Sequence, residues 1–482
     1  MQNNVHNGKQ ILTLFGFFSL TASMVMTIYE YAGFATAKLA VIFFTVFGGL
    51  FWLLPTALIA AEMASVKGWS TGGVFGWVGH AFNDEKIGFL AIFFQWFQVT
   101  VDFITMSYFV VGMLADVFNI PQLNNNLGLK FASVMVLFVI ITVIQLSGTK
   151  YTAKIAQYGL FIGIIGVSLV FFALAIAYVI QGNPLQISFS WHKLLPNFHD
   201  SGTLAIFATF ILAFSGIESS ASHIDELQNP EKNYPLVMVI LIILSIILNA
   251  AGGLSIAIVV PQQQLSLDGG IYQALKMLIL HYNQHLTWLV NVFVILIIFG
   301  VIGSIGSWIV GPSRGMQVAT EYGMLPPVFR KKNKHDVPVN IILLQTLIVI
   351  IWDAVLTFSG GKSNISFLIA TSLSALIYLL CYLLMYAAYF KLIFNYPHAP
   401  RTYTVPGGKT GKIILWLCGM STSLLAFVVT FMPSTALPPQ QAHLYQIILI
   451  ICIILTLGIA LMIISLQKFY NRHHQHEIKH IK

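Results

Sequence analysis

Twelve times along this chain apolar residues run on long enough to cross a lipid bilayer, and that repetition leaves few folds open. The stretches fall at about 11–35, 38–64, 87–115, 130–147, 155–180, 202–224, 236–260, 286–312, 339–357, 364–390, 412–431 and 445–467. Each is close to the ~20 residues that span a hydrocarbon core. No water is available there to satisfy backbone N–H and C=O groups, so each stretch reads as a helix. Only 8% of the 482 residues are charged, against about 25% in a soluble domain. The expectation is an all-α membrane protein with twelve transmembrane helices in one domain over 11–467, flanked by tails at 1–10 and 468–482. The apolar run before Ala35-Thr36-Ala37 is too long for a signal-peptide core, so it reads as a retained first span.

The net charge of +8 would suit a polyanionic partner, but the basic residues sit in short loops. Starting the chain in the cytoplasm places 19 of the 24 Lys and Arg inside, and only Lys38, Lys130, Lys193, Lys276 and Lys362 outside. That asymmetry predicts both termini in the cytoplasm. It makes Arg330-Lys331-Lys332-Asn333-Lys334 a topology anchor beside the lipid bilayer, not a nucleic-acid surface. Cys381, Cys418 and Cys452 all fall within spans and read as small core residues, with no metal-binding or disulfide pattern.

Two of the spans are interrupted. The sixth reads Ala213-Phe214-Ser215-Gly216-Ile217-Glu218-Ser219-Ser220-Ala221 at mid-membrane. A carboxylate at that depth is costly, and Gly among hydroxyls invites the helix to unwind. The first span has a similar interruption near Thr21-Ala22-Ser23, roughly 195 residues earlier. Irregular backbone at membrane depth survives only where protein or a polar cavity surrounds it. Paired breaks in two halves point to the binding site of a secondary transporter. The spans then divide into an inverted repeat of five and five (about 11–180 and 202–390) with two helices appended (about 412–467). The N–H end of a broken helix favours a carboxylate and the C=O end an ammonium, which suits a zwitterionic amino acid. Close packing of small residues would explain the glycine but not the carboxylate.

Glu30, Asp102, Glu218 and Asp353 lie well within spans, with Glu62 near an inner end. Glu218 in the break and Asp102 on the third span carry the stronger functional claim; Asp353 reads as a structurally partnered residue. Tyr378 and Tyr382 are four apart and share a helix face, which by itself suits packing as well as gating. The segment 261–285 carries Leu267, Ile271, Leu275 and Leu278 on one face, as in a short interfacial or gate-covering helix. His473, His474, His476 and His480 give the last tail a set of groups that titrate near pH 6.5; a solvated tail without a role fits equally well.

Several runs together resemble one family. Thr21-Ala22-Ser23-Met24-Val25-Met26, Gly148-Thr149-Lys150-Tyr151-Thr152-Ala153, Asn229-Pro230 through Tyr234-Pro235, Ser307-Trp308-Ile309-Val310-Gly311-Pro312-Ser313-Arg314-Gly315 and Pro406-Gly407-Gly408 look like the bacterial glutamate/GABA antiporters of the amino acid–polyamine–organocation (APC) superfamily. The likeness covers about 10–467 in order, and the run from Ser307 to Gly315 is its most specific part.

The resemblance implies a leucine-transporter-type fold and exchange of glutamate, or a close relative, for GABA across the inner (plasma) membrane. In acid-resistance members of the family that exchange helps remove protons. Tyr29, Glu218, Trp308, Tyr378 and Tyr382 match positions tied to substrate binding or gating. With the breaks themselves, the candidate substrate site comprises Thr21, Ala22, Ser23, Met24, Tyr29, Asp102, Ser215, Gly216, Glu218, Ser219, Ser304, Trp308, Tyr378 and Tyr382. Two departures stand out. Ser304 replaces an acidic residue of the family pattern, and Asp102 supplies a carboxylate that the pattern lacks. About fifteen residues follow the last span, too few for the C-terminal plug of acid-resistance members. The alternatives are an antiporter for a cationic amino acid and its amine, or a non-transporting sensor on the same fold. The expected partners are small amino acids and lipid; no enzyme activity, cofactor or metal is expected, and a homodimer stays open.

Overall fold

The computed structural model describes residues 13–221, 227–360, 363–433, 437 and 439–473. Among them no β-strand forms; two isolated bridges, Val66 with Arg401 and Lys332 with Pro338, only pin loops. The helices are α1 (Leu14–Val25), α2 (Tyr31–Ala35), α3 (Lys38–Ser65), α4 (Val74–Phe82), α5 (Glu85–Val117), α6 (Leu127–Leu146), α7 (Lys154–Ile180), α8 (Phe207–Phe214) and α9 (Ile217–Ala221). They continue with α10 (Pro230–Ala257), α11 (Gly270–Tyr282), α12 (Thr287–Glu321), α13 (Val339–Gly360), α14 (Ser363–Asn395), α15 (Gly408–Thr430) and α16 (Ala442–His473).

Among the described residues, eleven helical segments are long and apolar enough to cross a membrane. The stretch expected to span at 11–35 is not among them, because it is divided into α1 and α2, each too short alone. The division lies at residues 26–30, a little beyond the Thr21-Ala22-Ser23 expected from sequence. Those hydroxyls do not open the helix. Thr21 Oγ1 donates to the Phe17 carbonyl at 2.9 Å and Ser23 Oγ to Leu20 at 2.8 Å, so each satisfies itself within the helical turn.

Burial sorts the helices. The apolar windows of α5, of α14 and of the broken segment 202–220 are more than four-fifths buried, whereas those of α6 and α16 are 28% buried. The first set is the protein's interior; the second presents apolar faces outward, as lipid contact requires. α5 lies along α14 at the centre. α7 lies along α12 through a seam of small residues. A Cβ at Gly163 would come within 2.1 Å of the Leu296 carbonyl oxygen, and one at Gly300 within 3.0 Å of the Gly159 oxygen. Close backbone approach of this kind is how helices associate where lipid removes the hydrophobic drive. The turns at Gly159–Gly166 are widened to a π-helix.

Within 261–285 the helix α11 forms over Gly270–Tyr282 and buries Ile271, Leu275 and Leu278; Leu267, expected on the same helix face, is buried in the turn before it. Asn364 fastens its leading turn, accepting from Leu267 N–H at 2.9 Å and donating to the Leu265 carbonyl at 3.0 Å. Of the tail histidines, His474, His476 and His480 lie outside the described residues, and so does the side chain of His473.

Candidate functional site

The second break falls where the sequence places it. α8 ends at Phe214, Ser215 is extended, Gly216 takes φ +105°, and α9 begins at Ile217. Such a φ suits glycine, whose missing Cβ removes the clash that bars other residues. Ser215 Oγ donates back to the Ile211 carbonyl at 2.7 Å, leaving the reversal to Gly216.

The turn delivers Glu218 into a cage of donors. Gln95 Nε2 of α5 donates to Glu218 Oε1 at 2.7 Å and to Ser219 Oγ at 2.9 Å. From α14, the Tyr378 hydroxyl donates to Oε1 and the Tyr382 hydroxyl to Oε2 at 2.6 Å. Tyr382 also accepts from the Gly216 N–H at 2.9 Å. The two tyrosines, one turn apart, stack at 4.7 Å between centroids, and Glu218 is 1% exposed. Gln95, Tyr378 and Tyr382 thus aim their donors at one buried carboxylate.

Trp308 of α12 joins the two breaks. Its Nε1–H donates at 3.2 Å to the carbonyl of Met24, at the end of α1. Its ring covers Gly216 so closely that a Cβ there would sit 2.6 Å from the indole. The ring also meets Tyr378 edge-on at 6.3 Å. Met24, Gly216, Glu218, Ser219, Trp308, Tyr378 and Tyr382 thus converge at one buried place. Thr21, Ala22 and Ser23 are buried in the α1 turns behind it.

Tyr29 and Asp102 form a second cluster, two turns along α5 from Gln95. The Tyr29 hydroxyl donates to Asp102 Oδ2 at 3.2 Å. Glu30 is fully buried with no hydrogen-bond partner on either oxygen, and Asp102 Oδ1 has none. No ion pair among the described residues compensates either carboxylate. An unpaired buried carboxylate is costly, so this cluster favours a positive charge. Ser304 is buried one turn before Trp308, and its hydroxyl returns to the Gly300 carbonyl at 3.4 Å without touching the Glu218 cage.

Sequence reasoning missed three partners. Gln95 is one polar residue within the third span, with nothing local to tie it to Glu218. Trp52, whose ring meets Tyr382 edge-on at 4.8 Å, carried no signal at all. Glu62 is the hub of a buried cluster, with Arg401 Nη1 and Lys412 Nζ each 2.5 Å from Oε1, and Tyr389 and the Val405 N–H on Oε2. This cluster clamps α3 to α15 and to the loop before it. Burial and the Glu62 charge push the loop residue Tyr403 up to about 12. Asp353 Oδ1 accepts from Thr357 Oγ1 at 2.9 Å, and its buried Oδ2 has no hydrogen-bond partner.

A model of the amino acid permease family matches residues 12–454. The chain belongs to that family. It is 50% identical over 450 residues to the glutamate/gamma-aminobutyrate antiporter of Lactococcus lactis subsp. lactis, covering 93% of this chain and 89% of that one. The protein of the same description from Lactococcus lactis subsp. cremoris is 49% identical, covering 92% and 88%. An uncharacterized transporter of Legionella pneumophila is 30% identical over 92% of this chain and 95% of its own. Among solved structures, the manganese transporter of Eremococcus coleocola is similar in fold, with a TM-score of 0.55 over 98% of this chain and 97% of that one at 14% identity. The family is one of membrane carriers, not enzymes.

Proposed function

We propose that this permease exchanges glutamate, or a close relative, for GABA across a bacterial inner (plasma) membrane by alternating access. The observation that carries the reading is the 50% identity, over nearly the whole chain, to an antiporter described by that pair of substrates. The geometry supports it. The end of α1 and the start of α9 bring backbone carbonyl and N–H groups together, held for now by Trp308 and Tyr382, which a substrate's ammonium and carboxylate can take over. Tyr378, Tyr382, Trp308 and Gln95 ring the place where they meet. A carboxylate arriving at this break competes with Glu218 for the same phenol donors, so substrate arrival and the Glu218 hydrogen bonds are coupled. In this reading Thr21, Ala22, Ser23, Met24, Tyr29, Asp102, Ser215, Gly216, Glu218, Ser219, Ser304, Trp308, Tyr378 and Tyr382 line or gate the path. The twelve spans form two inverted five-helix repeats plus two helices, with both termini in the cytoplasm.

Reconstituted protein should exchange labelled glutamate only against trapped GABA or glutamate. Equal uptake into empty vesicles would replace the antiporter by a uniporter or symporter; saturable binding without flux would make the chain a sensor.

One observation favours a second reading. Glu30 and Asp102 suit a cationic amino acid or its amine, and a probable agmatine/putrescine antiporter of Lactococcus lactis is 23% identical over 89% of this chain. Competition by arginine or agmatine, with none by glutamate or GABA, would establish that pair instead.

A further inference from the structure

The transport reading leaves unused a cavity of about 650 Å³ between the beginning of α3 and the loop that joins α7 to α8. Lys38, His192, Lys193 and His199 line it together with Ser188 and Asn197. No Asp or Glu is among its lining residues. The nearest acid in sequence, Asp200, is occupied elsewhere: it accepts from the Gly202 N–H at 3.0 Å and from Thr203 Oγ1 at 2.7 Å, capping the short helix Ser201–Ala205. The cavity's charged lining is therefore basic, set among apolar residues such as Leu39, Ile187 and Pro196.

The loop that frames it also carries exposed apolar residues, of which Leu195 and Phe198 line the cavity itself. Phe189, Leu195 and Phe198 are each more than half exposed, and Trp191 is 86% exposed. Ile180, the last residue of α7, is 79% exposed. Four large apolar residues within ten positions of a loop would be an unusual offering to water. At the edge of a bilayer they take the place that aromatic residues commonly occupy at membrane–water interfaces. Lys38 holds a left-handed φ of +52°, uncommon for a residue with a side chain. Lys193 Nζ donates to Ser188 Oγ within the same cavity.

We propose that this cavity binds the headgroup of an anionic glycerophospholipid. The phosphodiester is held by Lys38 and Lys193, and the acyl chains leave over the rim of Phe189, Trp191, Leu195 and Phe198. The apolar rim is what selects a lipid over a free anion, because a dissolved phosphate or carboxylate gains nothing from it. Basic residues at a membrane surface attract anionic headgroups in this way, and removing two lysines should weaken the attraction roughly thirtyfold. The site is independent of which amino acids are carried.

The test is lipid retention by the full-length protein, purified in detergent and titrated with phosphatidylglycerol or phosphatidylcholine under native mass spectrometry. The wild type should retain phosphatidylglycerol in preference to phosphatidylcholine. Lys38→Gln/Lys193→Gln should lose that preference, while Lys331→Gln/Lys334→Gln, altered in another loop, should keep it. Trp191→Ser/Phe198→Ser should weaken retention with both lysines intact. Equal retention of the two lipids by the wild type, or an unchanged preference in Lys38→Gln/Lys193→Gln, overturns the site. Displacement of phosphatidylglycerol by glycerol phosphate at matching concentration overturns the lipid and leaves a free-anion site.

Discussion

Replacing Gly216 with Ala is the most direct test of how the second break is held. Two costs add. The φ of +105° lies outside the wells that an L side chain adopts easily, a strain of about 1–3 kcal/mol. The new methyl would stand 2.6 Å from the Trp308 ring, where ordinary contact begins near 3.4 Å, and overpacking of that kind costs about 1–3 kcal/mol. The variant should therefore lose about 2–6 kcal/mol of unfolding free energy, measured by denaturant titration in mixed micelles. Only the second share depends on the indole. Trp308→Ala combined with Gly216→Ala should recover about 1–3 kcal/mol relative to additivity, because the clash has gone while the backbone strain stays. Transport tells the same story from another side, since the pair joins α9 to α1 through the Met24 carbonyl. A Gly216→Ala protein as stable as wild type, or a double mutant whose effects simply add, would refute the packing of Trp308 on Gly216.

Three further outcomes follow from other contacts. Tyr382→Phe removes a donor to Glu218 and an acceptor for Gly216; charge-assisted bonds of this kind contribute about 1.5–3 kcal/mol, so glutamate/GABA counterflow should fall roughly ten- to hundredfold, and a loss under twofold would make the phenol a bystander. Glu218→Gln should change the pH dependence of exchange between pH 5 and 8 more than it changes folding; an unaltered profile would reduce Glu218 to a structural partner. Glu62→Gln leaves Arg401 and Lys412 without their shared carboxylate, and removing one partner of a buried pair costs about 3–5 kcal/mol. That loss should appear as lowered thermal stability in micelles, partly restored by Lys412→Met, and a variant indistinguishable from wild type would show the clamp to be incidental.

Much of this arrangement is visible in the sequence, for definite reasons. Membrane depth makes helices obligatory, so hydropathy alone finds their positions. Gly216 and Glu218 announce the second break because both are anomalous within an apolar run. The first break was harder to place, since Thr21 and Ser23 look disruptive on paper yet bond within their own turns. Long-range partners leave no local trace. Gln95 is 123 residues from Glu218, and Arg401 and Lys412 are 339 and 350 residues from Glu62. Charge counting can say that such residues need partners but not which ones they find. Tyr378 and Tyr382 are intermediate: their spacing gives a shared face, and only the fold shows that the face looks onto Glu218.

The glycine seam between α7 and α12 gives the molecule a vulnerability remote from its substrates. A methyl at Gly163 has backbone in its way, not a side chain that can swing aside. The relief is for α12 to back off, and α12 carries Trp308 about two turns on from Gly300. Such a lesion would lift the indole from Gly216 and release the Met24 carbonyl while leaving every residue around Glu218 chemically intact. Variants there should lose transport as well as stability, with every pocket residue unchanged. A screen confined to the pocket would never find them.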